Sequence, residues 1–376
     1  MAARVTLVTH YYPAHRGGVE RVAGQLAERL AASDSAEFEW HASDCDAAPA
    51  AVRGIKTVPA RSWNGIERLL GFPYPLWSTG ALRRLAQACR SAEVVHLHDC
   101  LYFANVVAYL AARRAGRPVI VTQHIGHVPY RNPLLRVLLA MANGILGRWI
   151  LGGADRVVFE SATVQDYFTR FVRFRAPPLL IANGVDTDHF APAAAAGRRA
   201  ERPVLLFLGR FVEKKGLSVL HELARRLPDT QWLLAGWGPL DPSSWRLPNV
   251  RVVPSPGAAQ LASLYREADL FVLPSVGEGV PLSLQEAMAC GTPALVGEET
   301  AAGIPGAEQV LLRERVGDAA AVERWSARIR ALLGSGELQA LRPRVAAFAR
   351  EHWSWQRCVG RYAELIAASA APSARR

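Results

Sequence analysis

The sequence lacks the devices that staple or anchor a chain. Its 376 residues hold five cysteines, Cys45, Cys89, Cys100, Cys290 and Cys358, scattered and odd in number. No C-x-x-C pair occurs, so neither a zinc ribbon nor a disulfide framework is expected, and the thiols are read as reduced. Long hydrophobic runs are missing too: no stretch of about 20 apolar residues is free of charge. The nearest candidate, residues 134–151, is interrupted by Arg136 and Arg148 and reads as a core or interfacial helix. The opening residues have no signal-peptide core or cleavage site, so a cytoplasmic location is expected. The full Gly-x-Gly-x-x-Gly fingerprint is absent, which argues against a nicotinamide enzyme.

Negative charge is missing from one long segment. Between Asp99 and Asp155 there is no acidic residue, yet Arg113, Arg114, Arg117, Arg131, Arg136 and Arg148 fall there. Upstream, Arg61, Arg68, Arg83, Arg84 and Arg90 are opposed only by Glu67. In a chain of formal net charge +11, such a field attracts phosphates on nucleic acid, anionic lipid or a lipid-diphosphate substrate. A solvated arginine-rich surface is the alternative. The basic segments carry no regular aromatic array of the kind single-stranded nucleic acid stacks on, and no nucleic-acid partner is expected.

What is present is a repeated alternation of strand and helix. The length suits two domains of roughly 150–200 residues. In the first half, residues 4–9, 94–97, 118–122 and 156–159 read as strands. Residues 19–32 carry Val19, Val22, Leu26 and Leu30 at helical spacing. The Ala- and Arg-biased stretch 191–203 reads as a linker. Alternation restarts at 204–208 and continues through 232–235, 250–253, 270–273 and 293–296 before a helical end at 322–333, 342–349 and 356–368. This pattern predicts α/β domains with doubly wound parallel sheets over 1–190 and 204–350, and a last helical piece at 351–376. Ligands of such sheets bind beyond the carboxyl ends of the strands, so motifs just after strands matter most.

Four motifs occupy those places. Gly277-Glu278-Gly279-Val280-Pro281-Leu282 leads into a helix that carries Glu286 and stops at Gly291. Its glycines admit a ligand close to the backbone, Pro281 is placed as the first helical residue, and the free amides face an anion. Glu278 and Glu286 are bidentate acceptors for sugar hydroxyls; two solvated surface glutamates are the alternative. Gly209-Arg210 through Lys215-Gly216 offers a guanidinium and an ammonium to one phosphate group. Gly236-Trp237-Gly238-Pro239 leaves room for a base or ribose. Near the start, Gly17-Gly18-Val19-Glu20 opens a helix, either as a phosphate-facing turn or as a plain tight one. His124, at a strand end, reads either as structural or as a group that bonds a sugar hydroxyl or moves a proton. His127, His96 and His98 have lower claims.

Taken in order, these motifs resemble the retaining glycosyltransferase family four. The match includes Gly17-Gly18-x-Glu20, His124 and Ala154-Asp155-Arg156-Val157-Val158 leading to Ser161. It continues with Asn183-Gly184-Val185-Asp186-Thr187 before Phe190, Gly209-Arg210-x3-Lys214-Lys215-Gly216, Gly236-x-Gly238-Pro239, and Glu278 with Glu286 as a Glu-x7-Glu signature. The resemblance implies the GT-B fold, two Rossmann-like domains facing across a cleft, with the final helix near Trp353-Ser354-Trp355 returning to the first. It implies catalytic roles for Arg210 and Lys215 on the donor diphosphate, Glu278 on the transferred sugar and His124 beside it. Glu286 would hold the ribose hydroxyls, and Gly17, Gly18 and Glu20 would approach the phosphates or acceptor. Gly236, Gly238, Gly279, Val280, Pro281 and Leu282 would complete the substrate-binding set. Neither metal nor cofactor is implied, since arginine and lysine take the metal's electrostatic part.

Two departures bear on donor identity. Val280-Pro281 stands where Phe-Gly is frequent, so Pro281 withholds one backbone N–H. Trp237 stands where Asp or Glu is frequent. The expected partners are therefore a UDP- or GDP-sugar donor, a glycan or lipid-linked acceptor, and an anionic membrane surface. A soluble acceptor, and a phosphorylase or epimerase on the same fold, stay open at this point.

Overall fold

A computed structural model describes residues 2–15, 17–70, 74–126, 133–193 and 201–371. His127, Arg131 and residues 194–200 of the expected linker lie outside them. The chain divides into two units, residues 1–184 with 356–376, and residues 185–355. The boundary thus falls between Gly184 and Val185, ahead of the linker read from composition.

In the first unit the strands are β1 (Ala3–Val8), β2 (Ala36–Ser43), β3 (Ile55–Ala60), β4 (Ser62–Trp63), β5 (Leu76–Trp77), β6 (Val94–His98), β7 (Val119–Gln123), β8 (Arg156–Phe159) and β9 (Leu179–Leu180). Seven form one sheet in the order β3-β2-β1-β6-β7-β8-β9, every neighbouring pair parallel. The two-residue strands β4 and β5 pair antiparallel. β6 and β7 are buried along their whole length, as strands covered on both faces must be. β2 was not among the strands read from sequence, although Glu37, Glu39 and His41 alternate with its apolar residues in the period-two pattern of a strand. Two of those groups are absorbed locally, since Glu39 bonds the His41 ring at 2.9 Å and Lys56 of β3 at 3.1 Å.

The second unit has β10 (Val204–Arg210), β11 (Gln231–Trp237), β12 (Val250–Pro254), β13 (Leu270–Leu273), β14 (Ala294–Gly297) and β15 (Leu312–Glu314). They form a parallel sheet in the order β12-β11-β10-β13-β14-β15. Each unit therefore has one place where strand order reverses, β1/β6 in the first and β10/β13 in the second. Crossovers leave in opposite directions there and open a crevice at the carboxyl ends.

Two helical expectations change. Pro281 is the N-cap, with φ −64° and ψ 131°, and the helix is Leu282–Ala289; the extended ψ keeps the proline just outside the first turn. Residues 134–151 are not one α-helix but Pro133–Ala142, a π-helical turn Asn143–Gly147, and Arg148–Gly153. The last helix, Trp355–Ala370, places Gln356 onward in the first unit. There Tyr362 Oη lies 3.0 Å from Thr122 Oγ1 of β7, and Arg361 donates to the Leu180 carbonyl of β9 at 2.6 Å.

Candidate active site

In the second unit the reversal point gathers the predicted cations and carboxylates. Gly216 makes this possible. It sits at φ +77°, and a Cβ there would lie 2.2 Å from the Pro274 carbonyl oxygen, so only glycine lets the loop after β10 press against the end of β13. The Val276 N–H then donates to the Lys214 carbonyl at 3.0 Å. This brings Lys215 Nζ to 2.9 Å from Glu278 Oε2 and Lys214 Nζ to 3.9 Å from Glu278 Oε1. Glu278 is 11% exposed and Lys215 14%, so the pair is partly shielded yet reachable. Lys214 was not singled out from sequence, although it adjoins Lys215 in the same run.

Arg210 ends β10 on the exposed side, and its guanidinium lies 4.8 Å from the centre of the Trp237 ring at the end of β11. That is a cation–π contact, and among the described residues no carboxylate forms an ion pair with Arg210. Its charge remains available to an anion. Trp237 is thus a shelf for the arginine, a role the sequence did not suggest.

The glycines around Trp237 leave less room than expected. A Cβ on Gly236, at φ +148°, would lie 1.9 Å from the Gly209 oxygen, and one on Gly238 would lie 2.4 Å from the Phe211 oxygen. Both serve close crossing of the chain's own backbone. On that side, the space is filled by protein.

Glu286 is buried, and Tyr265 donates a hydrogen bond to its Oε2 at 2.9 Å. Tyr265 in turn packs edge-on against Phe190, 6.0 Å between ring centres. This explains the Asn183–Phe190 motif. Asp186 Oδ1 accepts the N–H groups of Asp188 and His189, a turn that delivers Phe190 to the ring supporting Glu286. Glu278 and Glu286 therefore differ in kind: one is salt-bridged in a loop, the other fixed from behind by a phenol. Gly279, Val280 and Leu282 line the loop and first turn between them, and Val280 is buried.

The first unit holds a different assembly at its own reversal point. His124 follows β7. Its Nδ1 lies 2.7 Å from Glu160 Oε1, and its Nε2 lies 2.8 Å from His98 Nδ1. Asp99, at φ +62°, accepts the backbone N–H groups of His124 and Ile125 and the Gln123 amide. His10 Nε2 lies 3.8 Å from Asp99 and 4.0 Å from Glu20. Burial alone would lower the His124 pKa, but Glu160, Asp99 and Glu20 overcome it and raise the value to about 9. Burial and the neighbouring His124 cation hold His98 and His10 well below the usual histidine range, and His96 at about 3. Burial raises Asp99 and Glu20. At neutral pH, His124 is the one imidazolium among neutral histidines, donating to Glu160 and to His98. Both its ring nitrogens are engaged inside the protein. Glu160 and His98 flank the strand end, and sequence spacing shows neither. The Glu20 carboxylate folds over Gly17, its Oε2 1.9 Å from where a Cβ would stand. Gly18 faces open space. Among the described residues no group of three or more His, Cys, Asp or Glu side chains is arranged to hold a metal ion.

Comparison with known proteins places this geometry. Residues 16–189 match the pattern of Glycosyltransferase Family 4, and residues 202–334 that of Glycosyl transferases group 1. A D-inositol 3-phosphate glycosyltransferase of Segniliparus rotundus is 30% identical over 70% of this chain and 63% of its own, so the chain spans under two thirds of that relative. A GDP-mannose:cellobiosyl-diphosphopolyprenol alpha-mannosyltransferase of Xanthomonas campestris is 30% identical over 73% of this chain and 74% of its own. A GDP-mannose-dependent alpha-(1-6)-phosphatidylinositol monomannoside mannosyltransferase of Mycolicibacterium smegmatis is 28% identical over 96% and 97%. Among solved structures, Anabaena HepE in complex with UDP and glucose superposes with a TM-score of 0.73 at 16% identity, covering 97% of this chain and 100% of that one. That likeness shows a shared GT-B fold.

Proposed function

The chain belongs to glycosyltransferase family 4, and on that premise we propose that it moves a hexose, with retention, from a GDP- or UDP-sugar to a lipid-linked or glycan acceptor at an anionic membrane face. The observation that carries the donor half is the Arg210–Lys214–Lys215 cluster beside Glu278 at the β10/β13 reversal. Arg210 and Lys215 bind the donor diphosphate and offset the charge that grows on it as the sugar leaves. Glu286, braced by Tyr265, accepts the ribose hydroxyls. Glu278 turns from Lys215 to the sugar hydroxyls when the diphosphate takes over the lysine. The bond from the anomeric carbon to the phosphate oxygen breaks with its electron pair going to the diphosphate. The acceptor hydroxyl adds on the same face and passes its proton to the departing phosphate oxygen. His124 contributes fixed positive charge, since its nitrogens are spent on Glu160 and His98. The reaction proceeds without a metal ion, the cations supplying the electrostatic stabilisation.

The relatives named for GDP-mannose and for polyprenol- or phosphatidylinositol-linked acceptors support a GDP-sugar and a lipid-linked acceptor. The test is thermal unfolding with UDP, GDP, ADP and their sugar conjugates. A ligand at about a hundred times its dissociation constant adds roughly 2.7 kcal/mol, a midpoint rise of a few degrees in a chain of this size. GDP is expected to give it, and Arg210→Ala and Glu286→Ala to remove it. A rise with UDP alone would reassign the base; no rise with any nucleotide would overturn the donor site.

A further inference from the structure

The segment Pro133–Gly153 wears its apolar face outward. Val137, Leu138, Met141, Ile145 and Trp149 are 55%, 51%, 55%, 65% and 44% exposed. From Val137 onward, the stripe repeats every fourth residue through Met141, Ile145 and Trp149. In a straight α-helix such a stripe drifts around the axis. The π-helical turn Asn143–Gly147 carries more residues per turn and holds it to one side. The opposite side is fastened to the first unit. Asn143 donates to the Gly126 carbonyl at 3.3 Å, Gly147 lies against the Phe168 ring, and Ile150 and Leu151 are fully buried. The outward face is therefore what remains after the core has been served.

A helix in water normally arranges the reverse, and contiguous exposed apolar surface marks an interaction site. The charges around this one select its partner. Arg136 and Arg148 are exposed near the two ends of the stripe, and no acidic residue occurs from 100 to 154. Trp149 packs edge-on to Tyr109, one turn before Arg113. Asp155, which follows, is consumed by Arg113 and Arg175. An apolar stripe with arginines at its ends and no carboxylate within its own segment complements the surface of an anionic bilayer. No helix among the described residues is long and apolar enough to cross one.

We propose that residues 136–149 are the membrane-docking element of this protein, lying in the headgroup layer of an anionic lipid bilayer with Val137, Leu138, Met141, Ile145 and Trp149 buried in it. This deepens the reading of a lipid-linked acceptor and rests on it for its purpose, though its test is separate. The full chain is sedimented with sucrose-loaded vesicles of phosphatidylcholine alone or with phosphatidylglycerol. Binding is expected to the anionic vesicles and to fall at least about tenfold on neutral ones or at high salt. Met141→Asp with Ile145→Asp should reduce binding more than about tenfold. Arg136→Ala with Arg148→Ala should reduce it about twentyfold, each cation near the surface counting roughly fivefold. The GDP-induced midpoint shift, read in the same variants, should not change, which shows that they fold. Equal sedimentation of wild type and the aspartate variant overturns the proposal. So does a lipid-free dimer that the aspartate variant converts to monomer, since a second copy would then own the face. Vesicle binding without any nucleotide response would leave the docking element standing and the glycosyltransferase reading fallen.

Discussion

His124 shows how much one side chain's meaning depends on its neighbours. An isolated histidine at a strand end reads as a base, but three carboxylates and a neutral histidine make this one a standing cation. Its folded pKa of about 9 lies above the ordinary 6.5, so its contribution to stability is complete below pH 6.5 and is lost as pH rises through 9. The gap corresponds to about 3 kcal/mol. His10, His96 and His98 act oppositely: their depressed values mean that stability is lost as pH falls below 6.5, where the unfolded chain takes up protons that the folded one refuses. The melting temperature is thus expected to climb toward pH 6.5 and decline from there to 9. His124→Gln should flatten the decline and also soften the climb, because the His124 charge is part of what holds His10, His96 and His98 down. An unchanged alkaline limb in that variant would show His124 to be neutral.

At the scale of elements, the proposed donor site depends on one loop meeting another. Gly216 at φ +77° leaves no room for a side chain below the Pro274 carbonyl, and the left-handed conformation alone costs a non-glycine residue roughly 1–2 kcal/mol. Gly216→Ala is therefore expected to destabilise by about 2–4 kcal/mol in denaturant titration. It should also weaken nucleotide binding, because it parts Lys215 from the β13 loop. A variant of near-wild-type stability and affinity would mean that the loops meet without this contact. The helix Leu282–Ala289 shows the same dependence from the other side. Its sequence announces a start and a stop, while the position of Glu286 is settled by Tyr265, 21 residues away on another helix.

At the scale of the molecule, two sheets each reverse strand order once, and each reversal collects a different chemistry. The second unit gathers cations and carboxylates; the first gathers buried histidines and carboxylates. Amide exchange separates them. GDP should slow exchange around residues 210–216 and 282–285 in the second unit, and Arg210→Ala should abolish that protection. Protection elsewhere in that unit, with these segments unaffected, would move the donor site away from the β10/β13 reversal.

The sequence by itself determined the fold class, most strand positions in both halves, and the motifs from which the donor site is proposed, because buried parallel strands and glycine turns are local demands that a few adjacent residues must meet. Arg210, Lys215, Glu278 and Glu286 were legible for that reason. Strands β2 and β3 went unread: β2 carries the alternation of a strand with one polar face, a signal that was there to find, while β3 is interrupted by Lys56 and Pro59. Only the tertiary structure decided that Trp237 shelves Arg210, that Tyr265 braces Glu286, that the Glu20 carboxylate lies over Gly17, and that Glu160 and His98 close both sides of His124. It also decided which side of residues 134–151 faces out. Hydrophobic spacing shows that a helix has an apolar face; whether the core or the solvent receives that face depends on what the rest of the chain has already buried.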